Sequence, residues 1–476
     1  MVCAVESSNW DVEGLNIKDY ILENYVPANA SECNYTIEFV DDVAEPRRSD
    51  KHAQLRCSNL IWPFSRCGNS PTEVPIKAAQ LLTKANDERN PKRIIELTIA
   101  MEYATDSYQP GDTIAILPSN DTKEIYKLLN HMQLSEKSDN IFQLQLSSKC
   151  TKKTLKVPDY IPLYCTPYLL LRDCLNIHAI PKKQFLSALA NSCTNAAECA
   201  FLKCLSSKEG SGFYSKLVLD LGLTLCELLI LCPSCKPTLV QLVEHLPRLL
   251  PRPYSIANNP ISNEVKIIFS IRSQKPGVTT NMLSTLALRM LNDINVVDLP
   301  KIIAFGRQTN QFRFTAKEAG EHNHILIGVG TAISPFLGFL ELKTQMIADN
   351  TIKSFGKIWL FAGATTERSL PHRERILAYK ESNVLQHYFE CLSRAPDASY
   401  LYIQDQISAL GSEFVEFLMQ ENTVLYTCAD GGKISQSIDK AIIECLAQVQ
   451  KITWDEAKEV TKSLKRNGKY REDVWL

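Results

Sequence analysis

The sequence predicts an α+β part joined to an α/β part: an antiparallel β-barrel that carries a helical insertion, followed by a doubly wound domain. Short runs at 93–100 and 112–121 are typical of strands separated by the turn signal at 108–112, and strand alternation resumes only at 264–273. Between them, apolar residues recur every three or four positions, as in amphipathic helices. In the last third, continuous apolar strands alternate with helical stretches, which is typical of a parallel sheet covered on both faces.

Taken in order, the segments divide the chain into four parts. Residues 1–73 mix charged residues with Asn, Ser and Pro around one short alternating run, which predicts a loosely ordered lead-in or partial strand. Strand signals place the barrel at 74–125 and 249–315, helical spacing places the insertion at 126–248, and the α/β domain covers 322–476. Because the barrel strands resume after the helices, the insertion interrupts one domain rather than separating two.

Composition excludes several classes of function. The chain has 476 residues, which is too long for one hydrophobic core and predicts two or three domains. Its formal net charge is -1, so no overall field recruits nucleic acid or an acidic membrane surface. The most apolar segment, 217–232, contains Asp220 and Glu227 and is too short and too charged to span a bilayer. We therefore expect neither a nucleic-acid partner nor a membrane partner.

The 16 cysteines are scattered along the chain, and its first residues carry acidic side chains and no apolar signal segment. This usage predicts free thiols in a reducing, cytoplasmic compartment. Cys232 and Cys235 have the CxxC spacing of a zinc knuckle or a redox pair, yet no second CxxC or paired histidine lies at ligand distance. A structural turn is the favoured interpretation, and Cys193, Cys199 and Cys204 do not share one helix face. We predict no metal site.

The α/β domain has a candidate nucleotide site. Its strands are predicted at 324–330, 357–364 and 423–430, with a further candidate at 399–405, and ligands of such sheets bind beyond the carboxyl ends of the strands. The segment "GVGTAISPF" (328–336) follows a strand and precedes a helix, so its glycines would let backbone N–H groups approach a pyrophosphate. Gly-rich turns of this kind are nevertheless common in α/β domains.

A second feature of this domain suits a nucleotide phosphate. Ser393 and Arg394 end one predicted strand, and Tyr402 and Gln404 lie on the next. An arginine guanidinium grips phosphate with two parallel hydrogen bonds, and this set would also provide a ring to stack on a purine. A solvated loop arginine and a core tyrosine would explain the same residues.

Eight short blocks resemble one known family. In chain order they are "RPYS", "GVTTNML", "GVGTAISPF", "LFAGATTERSLPHRE", "SRAPD", "YIQD", "LYTCADGGK" and "YREDVWL". Their order and spacing are similar to the FAD- and NADPH-binding half of the diflavin reductases, from about residue 74 to the C-terminus. Within that family, "AIPKK" (179–183) and "EHLPRLLPRPYS" (244–255) most resemble the methionine synthase reductases. The resemblance implies an NADPH-dependent flavin oxidoreductase.

The resemblance implies an FAD site around "RPYS". Arg252 would neutralise the pyrophosphate, Tyr254 would stack on the isoalloxazine, and Ser255 would offer its hydroxyl to the hydride-accepting nitrogen. Pro253 fixes φ and helps to hold its neighbours in place. Trp475 would stack over the flavin ring and move aside for the nicotinamide. A second pyrophosphate contact is implied at Gly277, Val278, Thr279 and Thr280.

The resemblance also implies catalytic and nicotinamide-nucleotide positions. The catalytic set is Ser255, Cys428 and Asp473. The NADP-binding set is Lys77, Gly330, Thr331, Ser393, Arg394, Tyr402, Ile403 and Gln404. The chain departs from the family at several positions: Leu401 stands where a lysine is usual, and Ala364, Ala429 and Ser437 replace a frequent cysteine, glycine and aspartate. These departures bear on nicotinamide binding and on the preference for NADPH.

The expected cofactors are therefore FAD and NADPH, and FMN is not expected on this chain. Electrons would pass to methionine synthase or to a separate flavodoxin-like carrier. Two alternatives stay open from the sequence. One is a stand-alone NADPH:acceptor oxidoreductase that uses a separate FMN protein or a small oxidant. The other is a catalytically degenerate relic that binds a partner through its helical insertion.

Overall fold

The computed structural model describes residues 12, 14–29, 32–40, 71–83, 93–101, 108–259, 263–271, 277–292, 298–309, 311–351, 356–395, 399–430 and 432–475, without the side chains of Asp430 and Trp475. The strands are β1 (Tyr35–Phe39), β2 (Thr72–Leu81), β3 (Arg93–Ala100), β4 (Thr113–Leu117), β5 (Phe142–Leu146), β6 (Arg252–Ser255), β7 (Glu264–Ile271), β8 (Lys301–Arg307), β9 (Asn323–Val329), β10 (Ile358–Ala364), β11 (His387–Leu392), β12 (Thr423–Asp430) and β13 (Tyr470–Trp475).

The longer helices are α1 (Thr122–His131), α2 (Lys183–Ala190), α3 (Ala196–Ser206), α4 (Leu225–Leu231), α5 (Leu239–His245), α6 (Val278–Asn292), α7 (Ala316–Glu321), α8 (Ser334–Ala348), α9 (Arg373–Glu381), α10 (Ile403–Leu410), α11 (Ser412–Leu418), α12 (Lys433–Gln450) and α13 (Trp454–Arg466). Shorter helical segments are Ile17–Tyr20, Ser135–Lys137, Pro167–Leu169, Leu170–Cys174, Ser211–Tyr214, Ser215–Asp220, Gly330–Ile333 and Glu367–Ser369. Among the described residues, no helix has both the length and the apolar character needed to cross a bilayer.

The predicted barrel is confirmed. Within the described residues, six strands form an antiparallel sheet in the order β6-β4-β8-β2-β3-β7, and a bridge between Ile256 and Ile267 joins its two outer edges. Ile95 and Leu97 of β3 fill the barrel interior, whereas Ile94 packs into a core shared with the α/β domain. Both faces of β3 are therefore covered, and even its Glu96 is buried.

The insertion between β4 and β6 has a hydrophobic core of its own, built largely by α1 to α5 and the short helical segments between them. Strand β5 interrupts the predicted run of helices because it pairs antiparallel with β1. Leu15, Ile17 and Ile37 pack against the same core. Of the two alternatives predicted for this region, Tyr35–Phe39 agrees with the partial strand, because the alternation in β1 gives that strand an apolar face to bury.

The α/β domain has the predicted doubly wound architecture. Its parallel sheet has the order β11-β10-β9-β12-β13. Helices α8 and α9 cover one face together with part of the barrel, and α10 to α13 cover the other. The chain moves outward from β9 to β11 and then returns to the other side of β9 as β12. A ligand crevice is expected where the strand order reverses, at the carboxyl ends of β9 and β12.

The candidate strand at 399–405 is wrong. Helix α10 begins within this run at Ile403, and the strand beside β10 is β11. The Asp405 carboxylate accepts a hydrogen bond of 3.3 Å from the Tyr402 N–H at the helix start, and Ile403 and Ile407 bury one helix face. A short apolar run is compatible with a strand or a helix, so its surroundings decide.

The barrel and the α/β domain contact each other directly. The Glu341 carboxylate of α8 accepts a hydrogen bond of 2.7 Å from the Asn259 N–H, just after β6. Gly338 permits this close approach, because a Cβ atom at its position would lie 2.9 Å from the carbonyl oxygen of Asn258. A site can therefore be built from both domains.

Candidate active site

The "RPYS" segment forms β6, the strand that leads to the site. It pairs with β4 so that Ser255 lies opposite Thr113 and Tyr254 lies opposite Ile114. Pro253 has no N–H to donate, and β6 tolerates it because only its β4 side carries a full ladder. This register places the Ser255 hydroxyl at the end of the strand.

The three residues predicted to be catalytic come together from distant parts of the chain. The Ser255 hydroxyl donates a hydrogen bond of 2.8 Å to the carboxylate of Asp473 on β13. Asp473 lies opposite Cys428 in the parallel pairing of β13 with β12. The barrel thus provides the serine, and two neighbouring strands of the α/β domain provide the carboxylate and the thiol.

The surroundings set the protonation of this group. Partial burial raises the pKa of Asp473 above its ordinary value, while the Ser255 hydroxyl and the positive charge of Arg307 oppose that shift. Burial raises the pKa of Cys428 well above its usual range, and the Asp473 carboxylate adds to the effect. Cys428 therefore carries a neutral thiol, and its side chain is fully buried.

A cavity of about 540 Å³ opens beside Ser255 and Asp473. The barrel, the loop after β8 and strand β13 each contribute to its wall. Its lining residues are Thr113, Pro253, Ser255, Arg307, Gln308, Thr309, Gln311, Phe312, Glu472, Asp473 and Val474. Cys428 is not among them, so its thiol lies behind the wall. The polar run at 307–311 was missed from the sequence, although its position directly after a strand was a usable signal.

The turn at 108–112 holds this wall in place. The buried carboxylate of Asp112 accepts hydrogen bonds from the Arg313 guanidinium at 2.9–3.0 Å and from the Thr309 N–H at 2.8 Å. Gly111 has φ +94°, and a Cβ atom there would lie 2.1 Å from the carbonyl oxygen of Phe312. Only glycine fits so close to that backbone in this conformation. The turn therefore does more than reverse the chain, since it fixes Thr309, Phe312 and Arg313.

Arg471 fixes the strand that carries Asp473. Its guanidinium donates to the Glu318 carboxylate at 2.6 Å, to the Tyr426 hydroxyl at 2.8 Å and to the carbonyl oxygen of Arg313 at 3.2 Å. These partners belong to α7, β12 and the loop after β8. Arg471 was not predicted, because its partners are close only in the folded chain.

The segments predicted to bind FAD also lie together. Tyr254 is half-buried, lies beside the Thr280 side chain, and packs edge-on against Phe269 with ring centres 6.2 Å apart. Burial raises the pKa of Tyr254 to about 12. Arg252 is exposed at the start of β6, and Gly277 is exposed directly before α6. Val278 is half-buried and Thr279 is buried in the first turn of α6. The predicted role of the Trp475 side chain lies outside the described part.

Four of the eight predicted NADP-binding residues directly follow strands of the parallel sheet. Gly330, with φ +61°, and Thr331 follow β9 directly. Ser393 and Arg394 follow β11, and their N–H groups donate to the carbonyl oxygens of Ala364 and Thr365 at 2.9 Å. The carboxyl ends of β9, β10 and β11 therefore form one edge.

The remaining predicted residues differ in their surroundings. Tyr402 is exposed at the start of α10, and Gln404 lies half-buried in its first turn. Ile403 is only 3% exposed and packs in the core, because β10 has Gly363 where a side chain would crowd it. Lys77 lies on β2 of the barrel, where it pairs with Glu264 at 3.1 Å.

Comparisons with known families agree with this geometry. The family model described as FAD binding domain matches residues 65–277, and the one described as Oxidoreductase NAD-binding domain matches residues 326–431. The chain is therefore a diflavin-reductase-like protein with an FAD-binding and an NAD-binding domain, as its sequence blocks indicated.

Named relatives refine the class. Methionine synthase reductase of Homo sapiens is 33% identical over 85% of this chain and 61% of its own length. The protein of that name in Caenorhabditis elegans is 25% identical over 92% and 64%. NADPH–cytochrome P450 reductase of Saccharomyces cerevisiae is 27% identical over 87% and 62%. The chain thus spans about three fifths of the length of these relatives.

Proposed function

We propose that the chain binds FAD and NADPH and transfers reducing equivalents from the nicotinamide to the flavin, as a reductase similar to methionine synthase reductase. The observation that carries this proposal is the hydrogen bond between Ser255 and Asp473 at the cavity wall. It brings a barrel residue and an α/β-domain residue to one place, as a reaction between two separately bound cofactors requires.

The residues present fit FAD. A cationic side chain, Arg252, and a half-buried aromatic side chain, Tyr254, lie on one strand, and Tyr254 contacts the first turn of α6 through Thr280. An exposed glycine before that helix leaves its N-terminal N–H groups accessible to a diphosphate. Bound FAD and NADPH would supply the hydride chemistry itself.

The protein's own residues would prepare the site. Because the Ser255 hydroxyl donates its hydrogen bond to Asp473, the Ser255 oxygen keeps its lone pairs for a partner in the cavity. The Asp473 carboxylate holds that hydroxyl in one orientation, and the neutral thiol of Cys428 adds no charge behind it. The wall formed by 307–309, Gln311 and Phe312 would limit access of water to the reacting groups.

The preference for NADPH over NADH is part of the proposal. Ser393 and the exposed Arg394 would bind the phosphate that distinguishes NADPH, with the exposed ring of Tyr402 beside them on the same sheet edge. Leu401 is 45% exposed and offers no charge there. We therefore expect discrimination between NADPH and NADH to depend on Arg394.

We further propose a division of the chain into three parts. The FAD-binding barrel comprises 74–125 and 249–315, the helical insertion comprises 126–248, and the NADPH-binding domain comprises 322–476.

We propose methionine synthase or a flavodoxin-like electron carrier as the partner, on the strength of the methionine synthase reductases named above. The test has two stages. Protein separated by gel filtration should retain FAD, and anaerobic mixing should show flavin reduction faster with NADPH than with NADH. Reactivation of methionine synthase should then follow when a flavodoxin-like carrier is added. Colourless protein that takes up no FAD would contradict the cofactor proposal, and flavin reduction without any reactivation would contradict the partner proposal alone.

A further inference from the structure

Two turns of the helical insertion bring cysteines together. Cys193 lies in the turn after α2, and Cys232 and Cys235 lie at the end of α4 and in the turn that follows. The sequence favoured a structural turn for the CxxC spacing and gave no reason to connect it with Cys193. The fold supplies that connection.

The backbones of the two turns are bonded to each other. The Lys236 N–H donates to the carbonyl oxygen of Ser192 at 2.9 Å. Cys193 and Cys235 are each joined to one of these two bonded peptide units, so their Cα atoms flank a single hydrogen bond. The Ser234 hydroxyl adds a second connection, since it accepts from the Asn195 N–H at 2.9 Å. The turns are therefore braced side by side.

The two thiols meet at one point. The Sγ atoms of Cys193 and Cys235 lie 3.5 and 3.3 Å from the same carbonyl oxygen, that of Leu189. Each thiol has one proton, and Cys235 can donate its proton either to that oxygen or to the Cys193 sulfur. Cys235 is fully buried, whereas Cys193 is half-buried. A small reagent from solvent would thus reach Cys193 first, with Cys235 directly behind it. Disulfides need this proximity and close Cα atoms.

The pKa shifts of the two thiols predict the same order of reactivity as their exposure. The hydrogen bond with Cys235 lowers the pKa of Cys193, which favours the thiolate. The same contact and burial raise the pKa of Cys235. Thiolates are the form that reacts with oxidants, so Cys193 is the more reactive partner.

We propose that Cys193 and Cys235 form an oxidative modification site, at which a peroxide converts the thiol pair reversibly into a disulfide. The Cys193 sulfur attacks one peroxide oxygen, the O–O bond breaks, and a sulfenic acid and one water result. The Cys235 sulfur then attacks the Cys193 sulfur, the S–O bond breaks, and the second water leaves. Two thiols lose two electrons and the peroxide gains two. A dithiol reductant reverses the reaction.

Metal binding is the other use of clustered thiols. Within the part of the chain that the structure describes, no group of three or more His, Cys, Asp or Glu side chains is arranged to hold a metal ion. Cys232 is buried beside the pair, and its own burial raises its pKa. It is therefore the alternative partner that an experiment has to separate from Cys235.

The experiment treats the full chain with hydrogen peroxide, alkylates the remaining thiols and digests with trypsin. Cys193 falls in the peptide 184–203 and Cys235 in the peptide 217–248, because trypsin does not cut between Lys236 and Pro237. We expect these peptides to become cross-linked, and dithiothreitol to release them. Alkylation of the untreated protein should label Cys193 before Cys235. This comparison tests the predicted order of reactivity on the wild-type chain.

Matched variants assign the bond. Cys193→Ser and Cys235→Ser should each abolish the cross-linked product, whereas Cys199→Ser, which removes another half-buried thiol from the same peptide, and Cys232→Ser should keep it. Circular dichroism checks that each variant is folded. The proposal is overturned if peroxide takes Cys193 to higher oxidation states without a cross-link, or if the cross-link survives Cys235→Ser and disappears in Cys232→Ser. The outcome does not depend on flavin binding.

Discussion

The Ser255 hydroxyl and the Asp473 carboxylate are hydrogen-bonded at 2.8 Å although 218 positions separate them in the sequence. Ser255 ends a strand of the barrel, and Asp473 lies on the last strand of the parallel sheet. Their contact therefore exists only when the two domains are assembled. The cavity beside it has walls from both domains, so the proposed activity would require the two domains to be assembled.

Removing the serine hydroxyl should slow flavin reduction and leave FAD bound. In Ser255→Ala, the Asp473 carboxylate loses a hydrogen bond to a charged group, worth about 1.5–3 kcal/mol, so a fall of roughly tenfold to a hundredfold is expected. Anaerobic stopped-flow absorbance measures the rate. Ser270→Ala, a half-buried serine on β7, is the control. Equal rates in both variants would show that the Ser255 hydroxyl has no role.

Arg307 should control the pH dependence of flavin reduction. Its charge lowers the pKa of Asp473 against the effect of burial, so Arg307→Gln should raise that pKa further. The ionised carboxylate is lost as pH falls through its pKa, and the acid limb of the rate profile should move to higher pH. Arg307→Lys keeps the charge and should keep the wild-type profile. A limb that moves to lower pH in Arg307→Gln would refute this assignment.

The buried Asp112 should stabilise the barrel as well as the cavity wall. Asp112→Ala leaves the Arg313 guanidinium without this carboxylate and should lower the free energy of unfolding by about 3 kcal/mol. Urea unfolding followed by circular dichroism measures the change. Glu73→Gln disrupts the exposed pair with Lys301 and should change stability by less than about 1 kcal/mol. Equal effects of the two substitutions would contradict the stabilising role assigned to the buried Asp112.

Arg252 should be needed to retain FAD. If its guanidinium neutralises the pyrophosphate, Arg252→Ala should lose flavin during gel filtration, which the ratio of flavin to protein absorbance reports. Arg289→Ala removes an exposed arginine from the last turn of α6 and should keep full occupancy. Full FAD occupancy in Arg252→Ala would show that the pyrophosphate does not bind at Arg252.

The fold class could be predicted because each part has a distinct apolar period. Strand alternation identified the barrel, and continuous apolar strands separated by helices identified the parallel sheet. The run at 399–405 was wrongly assigned because four or five apolar positions do not separate a strand from the first turn of a helix. In the structure a helix begins at Ile403, and its Ile403 side chain packs against Gly363.

The candidate site could be predicted only where family resemblance named its residues. Ser255, Cys428 and Asp473 were named in this way, and the structure brings them together. The partners of Arg471 and the contact between Cys193 and Cys235 were not predicted, because they join segments far apart in sequence. No local pattern encodes such pairs.

The most direct test of the central claim is the rate of anaerobic flavin reduction by NADPH in Asp473→Asn, measured at equal FAD occupancy. The amide preserves shape and can still accept the Ser255 proton, but it removes the charge. We predict a fall of roughly a hundredfold, with no change in Asp220→Asn, an exposed aspartate of the insertion. A wild-type rate in Asp473→Asn would contradict the assignment of this contact as the catalytic centre.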